Sequence, residues 1–384
     1  MSTRPVKWMY LLVVALGLVW GVCFTCAPQG WQSRLFYAQG RELMSDYMLP
    51  RSCAGDVQPY RPQDVMTKDA CYPALALVLV RPFSLSQNGA ILFTSLASIL
   101  LLCAVGLFAS IRGGQKSVLL AIATTMMSSP FIFNFERGNL MCVAAAGVLV
   151  FLAWYDADTG WKRGVAAFAL ACAGVLKIVP ALLGLIYFER RQWREMAMCA
   201  GMACVLFFVP FVWYGGWENG VLQWIANAAE NASWYMSRTA WGLVPVDRAV
   251  RMALHMPITD GWPGIWVSRG LSISMALGCL VLFFLKRNPM SIRILFLAAA
   301  LMMGSAAMMY YTGMLLAAAF LWNDREMHWV EGVLWVLLFC PLQFKFGAFE
   351  TGRHVSNLAF LTLVAWHVWG CFARGRLNKK PICD

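Results

Sequence analysis

Long apolar runs alternate with short polar segments along the whole chain. An apolar run of about 20 residues is what the roughly 30 Å hydrocarbon core of a bilayer asks of a helix, which satisfies its backbone polar groups internally. By this measure Trp8 to Cys26 is a first, uncleaved span behind Arg4 and Lys7. Further crossings are predicted over Asn88–Ile111, Ser117–Asn134, Leu140–Tyr155, Met196–Tyr214, Ile265–Leu285, Trp329–Phe344 and His354–Phe372. Tyr72–Leu85 is apolar but short and interrupted by Arg81-Pro82, so it reads as an interfacial or re-entrant helix.

Two runs do not fit a single crossing. Arg163 to Glu189 would measure about 40 Å as one straight helix at 1.5 Å per residue, and basic clusters stand at both of its ends. One crossing would carry a cluster outside, against the tendency of Lys and Arg to remain in the cytoplasm. Lys177 and Pro180 interrupt the middle, which predicts two short helices meeting at an apex, with Lys177 facing a wet cavity. Ile292–Trp322, with Tyr310-Tyr311 at its centre, reads the same way. The sum is an all-α polytopic membrane protein of about twelve membrane segments, one transmembrane domain over 1–384, with both termini cytoplasmic. Its two long outer loops are 27–87, holding short interfacial helices, and 215–264.

Composition agrees. Hydrophobic residues make up 60% of the 384 and charged residues 13%, against roughly 25% charged in ordinary soluble domains. The formal charge of +12 is scattered between apolar runs rather than interleaved with aromatics on one face, which excludes a nucleic-acid partner and fits the positive-inside bias. Most of the thirteen cysteines lie inside apolar runs, where cysteine packs as a small hydrophobe, so no structural zinc is expected. Cys53 and Cys71 fall in the first outer loop, where a disulfide and two free thiols both stay open. No tightly held metal and no cofactor are expected.

On this topology the unusual polar groups collect on the outer side: Glu42, Asp46, Asp56, Asp64 and Asp69, the Glu136-Arg137 turn, the Lys177 apex and the segment Arg238–Arg251. An outer-loop ion pair would account for Glu136-Arg137, and snorkelling for Lys177. Ionisable groups at membrane depth also mark functional sites, and here cations and carboxylates stand together. Arg and Lys bind phosphate oxygens strongly where water is partly excluded, and a carboxylate can take the proton of an attacking hydroxyl. A lipid with a phosphate head group is the ligand class this suits.

From Phe135-Glu-Arg-Gly-Asn139 onward the sequence resembles the membrane glycosyltransferases of family 87, which include polyprenol-phosphate-mannose-dependent mannosyltransferases. Asp69-Ala-Cys-Tyr-Pro-Ala74 before it, and Ala173-Gly-Val-Leu-Lys-Ile-Val-Pro180 with Glu189-Arg-Arg-Gln-Trp-Arg194 after it, extend the likeness over most of the chain. The resemblance implies a type C glycosyltransferase bundle in the plasma (bacterial inner) membrane, with its active site facing outside. It implies a polyprenyl-phosphate-linked sugar donor, a hexose such as mannose, a lipid or glycan acceptor, and inversion at the anomeric carbon. Asp46, followed by Tyr47, would be the general base, with Asp56, Asp64 and Asp69 as alternatives. Arg137 and Lys177 would contact the donor phosphate, with Tyr72 on the donor side, Glu136 orienting Arg137, and Asn139 bonding sugar or loop backbone. A transporter or flippase of lipid-linked saccharide, or a non-catalytic partner in envelope assembly, would show a similar pattern.

Overall fold

The computed structural model describes residues 4–26, 44–60, 72–113, 118–237, 264–286, 288–304, 309–342, 345–346 and 349–377. In chain order the helices are α1 (Arg4–Cys26), α2 (Ser45–Ala54), α3 (Ala74–Ser84), α4 (Gly89–Arg112), α5 (Val118–Met126), α6 (Ser129–Arg137), α7 (Met141–Trp154) and α8 (Gly160–Leu176). A 3₁₀ turn (Val179–Gly184) leads to α9 (Leu185–Glu189) and α10 (Trp193–Phe211), and a π-helical segment (Gly216–Leu222) to α11 (Gln223–Ser237). Then follow α12 (Gly264–Phe284), α13 (Met290–Gly304), α14 (Met309–Leu321), α15 (Trp329–Phe339) and α16 (Thr351–Leu377). A short antiparallel ladder, Lys345 with Glu350 and Phe346 with Phe349, precedes the last helix.

The core is built on α7, which packs against α4, α8 and α14. Its first turns are small: Ala144, Ala145 and Ala146 are buried, and a Cβ at Gly147 would stand 2.6 Å from the carbonyl oxygen of Ala169. From α8, Ala166, Ala167 and Ala173 meet it. Helices in a bilayer gain nothing from hiding apolar surface from lipid, so they associate where small residues let backbones approach. The outward faces are as apolar as the core. Ile91, Leu92, Leu96, Ile99 and Leu100 form an exposed stripe on α4 at helical spacing, a surface made for lipid.

This is a membrane protein. Among the described residues three helical segments are long and apolar enough to cross a bilayer: α4, α10 and Val355–Phe372 of α16. The count rises to four if α5 and α6, bent by 56°, form one broken span. The apolar stretches of the other helices, such as Trp8–Cys23 of α1 and Gly270–Phe284 of α12, are shorter.

The bundle has two unlike ends. Asp46 stands at one, where α4 begins against Tyr47. At the other end of α4, Arg112 donates to the carbonyls of Leu152 and Ala153, both at 3.2 Å, and pairs with Asp156. Arg163–Glu195 at 2.9 Å and Arg293–Glu189 at 3.1 Å belong to that second end. Glu331, paired with Arg325 and 3.2 Å from His367, brings the C-terminal half of α16 there, and Gly332 sits against Trp8 and Met9 of α1.

The chain reverses at Lys177, as the doubled basic clusters predict. Lys177 is extended (φ −144°, ψ 110°), Gly174 packs on Ala181, and Arg190 returns to donate to the Tyr155 hydroxyl at 3.3 Å. The hairpin from α13 to α14 is also present, since Ser291 donates to Asp324 through its backbone N–H at 2.9 Å and its hydroxyl at 2.6 Å. Helix α13 ends at Gly304 and α14 starts at Met309, so Tyr310-Tyr311 lie inside α14. Gly304 at the end of α13 is a poor helix former, whereas tyrosine is tolerated within a helix.

Four other boundaries differ from the expectation. Ser117–Asn134 is not one straight span, because Pro130 near the start of α6 cannot continue the ladder of α5. Consequently Glu136 and Arg137 end a helix rather than form a turn between crossings. Helix α15 stops at Phe339, because Cys340 precedes Pro341, and the residue before proline is biased toward extended backbone. Helix runs from Gly216 to Ser237 within the range expected as a second loop, and α16 starts at Thr351, ahead of His354.

Candidate active site

The site is assembled on a helix end. At the close of α6 the N–H of Gly138 bonds the Phe135 carbonyl at 3.0 Å and the N–H of Asn139 bonds the Asn134 carbonyl at 2.9 Å, the paired bonds of a Schellman motif. The motif needs a left-handed residue, and Gly138 has φ 62°. It also needs that residue to be bare: a Cβ there would lie 2.9 Å from Tyr47 Cβ and 3.2 Å from Met44 Sδ. Helix α2 therefore rests on Gly138 itself. The N–H of Met44 bonds the Glu136 carbonyl at 2.8 Å and fixes the start of α2.

With α2 seated there, Asp46 in its first turn falls between the residues flanking Gly138. Arg137 donates to it twice, Nε to Oδ2 at 3.0 Å and Nη2 to Oδ1 at 2.8 Å, a bidentate fork. Asn139 Nδ2 donates to Oδ2 as well, while Asn139 Oδ1 accepts from the N–H of Met141 at 2.7 Å and so caps the start of α7. Asp46 and Asn139 are buried, at 4% and 1% exposure, and Arg137 lies over the Phe133 ring at 5.5 Å. Burial pushes the neighbouring Tyr47 phenol above its usual pKa, with Arg51 pulling the other way.

Lys177 and Tyr72 form a second group, the ammonium 4.9 Å from the ring centroid. An apolar cluster of Tyr47, Tyr72, Ala76, Leu140 and Leu176 joins the two groups. The structure thus gathers Asp46, Arg137 and Asn139 by direct hydrogen bonds and seats Lys177 with Tyr72 beside them. Glu136 is buried and contributes its backbone carbonyl to Met44; Asn139 meets the first loop through a side chain, Asp46, rather than its backbone. Asp56 accepts from the N–H of Gln58 at 2.9 Å, a local turn. Glu42, Asp64, Asp69, Cys71 and the segment Arg238–Arg251 lie outside the described residues, and with Cys71 the question of a bridge to Cys53.

Several supporting residues carry no signal in the sequence. Tyr214 donates to the Ala54 carbonyl at 3.2 Å, Tyr60 to the Tyr72 carbonyl at 2.9 Å, and Asn227 to the Tyr60 carbonyl at 3.2 Å. Together they tie Ala54, Tyr60 and Tyr72 to the turn after α10 and to α11. A cavity of about 550 Å³ between α8, the 3₁₀ turn and α10 was equally hidden. Its walls run from Ile178 and Phe207 at the Lys177 end to Tyr187 and Met196 at the other, and they are almost wholly apolar. Cys23 and Cys26, in C-x-x-C spacing at the end of α1, are both exposed, and no metal-binding group of His, Cys, Asp or Glu occurs among the described residues.

A family model described as glycosyltransferase family 87 matches residues 70–305, more than half of the chain. No curated protein and no solved structure matches it.

Proposed function

Because the chain belongs to glycosyltransferase family 87, we propose that it transfers a hexose such as mannose from a polyprenyl-phosphate donor to a lipid or glycan acceptor outside the cytoplasm, inverting the anomeric carbon. The buried Asp46, held at one end of the bundle among Arg137 and Asn139, is the observation that carries this reading. The acceptor hydroxyl attacks the anomeric carbon from the face opposite the phosphate. Its proton passes to Asp46, the new glycosidic bond forms, and the bond from that carbon to the phosphate oxygen breaks. The leaving phosphate gains a negative charge, which Arg137 and Lys177 offset in a site partly closed to water. Tyr72 holds the Lys177 ammonium toward the donor.

The apolar cavity beside Lys177 takes the isoprenoid chain. It follows α10 from Met196 to Phe208, about 18 Å at 1.5 Å per residue, with its polar neighbour at the end where a phosphate would sit. The basic clusters gather at the Arg112 end, which we assign to the cytoplasm with both termini. The Asp46 end then faces outward in a bilayer crossed about twelve times. Reconstituted protein supplied with labelled short-chain polyprenyl-phosphate sugars and membrane extract should release label from the donor. Asp46→Asn should lower that transfer by about 100-fold or more, the scale of a general base. Transfer that survives the substitution would move the base elsewhere, and no transfer from any donor would refute the reading.

A further inference from the structure

Arg137 is claimed twice. The proposed reaction needs its guanidinium on the donor phosphate, yet the structure places both ends of its fork on Asp46. A carboxylate offers about four acceptor positions; Arg137 and Asn139 fill three of Asp46's. Asp46 is only 4% exposed, and the fork of Arg137 occupies both of its oxygens.

The two donors to Asp46 are held differently. Asn139 is 1% exposed and fixed at its other end, because its Oδ1 caps the first turn of α7. Arg137 reaches Asp46 through a long side chain, 18% exposed, that rests on the face of Phe133. An arriving phosphate is a bidentate guanidinium ligand equal to a carboxylate in geometry.

We infer that the Asp46–Arg137 pair is a substrate-operated latch: the donor phosphate takes the guanidinium of Arg137, this uncovers Oδ1 of Asp46 for the acceptor hydroxyl, and Asn139 keeps the freed carboxylate in place through Oδ2. Arg137 moves between two anions, and Asn139 is the positioning residue of the base. The inference rests on the donor reading above and adds an order to it: donor first, acceptor second. No covalent change accompanies the exchange, and water without donor meets a covered base.

Competition for one guanidinium predicts that Asp46 weakens donor binding. The test is binding of a short-chain polyprenyl phosphate, without sugar or turnover, to purified wild type, Asp46→Asn, Arg137→Gln and the double variant, with Asp46→Ala as a second replacement should Asp46→Asn fail to fold. Asp46→Asn should bind about 10-fold more tightly than wild type, and the gain should fall to about 2-fold or less in the Arg137→Gln background. A gain of equal size in both backgrounds would reduce the effect to charge repulsion and overturn the latch, as would no gain at all. If wild type still binds and transfers, the donor reading survives that loss. Polyprenyl phosphate that binds none of the four proteins would overturn both. Asn139→Ala should keep binding within about 2-fold and lower kcat by about 10-fold or more; a loss of binding as large as that of Arg137→Gln would place Asn139 on the donor instead.

Discussion

At Gly138 one missing side chain serves two purposes: it permits φ 62° and it leaves room for α2. A left-handed conformation costs roughly 1–2 kcal/mol for a residue with a Cβ, and here the added atom would also press on Tyr47 and Met44. Gly138→Ala should therefore lift α2, and Asp46 with it, from Arg137 and Asn139. Transfer should fall by about 10-fold or more with a loss of about 1–2 kcal/mol in stability, read by activity and by thermal unfolding in detergent. A contrasting residue is Glu331, 1% exposed, bound by Arg325, by the Trp335 indole at 3.2 Å and by His367. Removing one partner of a buried pair strands the other, typically at about 3–5 kcal/mol. Glu331→Ala should lower the unfolding temperature and leave polyprenyl-phosphate binding by the folded fraction unchanged, because it lies at the end of the bundle away from Asp46. At the residue scale the sequence marks side chains but not their contacts. Arg137 and Asn139 stood out as polar groups between apolar runs, and Asp46 as an acid followed by an aromatic, but a side chain's partner 91 or 93 residues away is invisible to spacing.

Among the elements, the reversal at Lys177 makes both the cationic site and the cavity. Had α8 continued as one straight helix, the 3₁₀ turn would not face α10, and Ile178, Ala181 and Leu182 would not line a common space. The walls opposite are small: Ala200, Ala203 and Cys204 of α10. Ala203→Trp should fill part of the cavity, raising KM for long-chain donors by about 10-fold while short-chain donors are nearly unaffected, a contrast read from steady-state transfer with donors of graded length. An equal effect on all chain lengths would remove the chain from this cavity. The hairpin was legible because charge at both ends of an apolar run contradicts a single crossing. The kink between α5 and α6 was legible in principle from Ser129-Pro130, yet a mean of hydropathy over the run passes straight through it.

For the whole molecule the decisive feature is polarity between its ends. Ion pairs of Arg112, Arg163, Arg293 and Arg325 gather at one end, and the Asp46 cluster stands about 36 Å away along the 24 residues of α4. The proposed orientation places Val57, 69% exposed near Asp46, outside and Trp161, 62% exposed near Arg163, in the cytoplasm. Cysteines introduced at the two positions, in a background lacking the reactive native thiols, should be modified by a membrane-impermeant maleimide from opposite sides of sealed cells. Labelling of both from one side would contradict the orientation. By itself the sequence determined the solvent, the helical class and the two hairpins, because the hydrophobic length of a helix and the cost of a charge in hydrocarbon act locally and leave their mark residue by residue. It also supplied the family, through short motifs. Only the tertiary structure decided that Asp46 is already occupied by Arg137 and Asn139, that Gly138 is the seat of α2, and that an apolar cavity opens beside Lys177. Those are distances between segments far apart in the chain, set by which small residues let backbones approach, and packing of that kind has no period along a sequence.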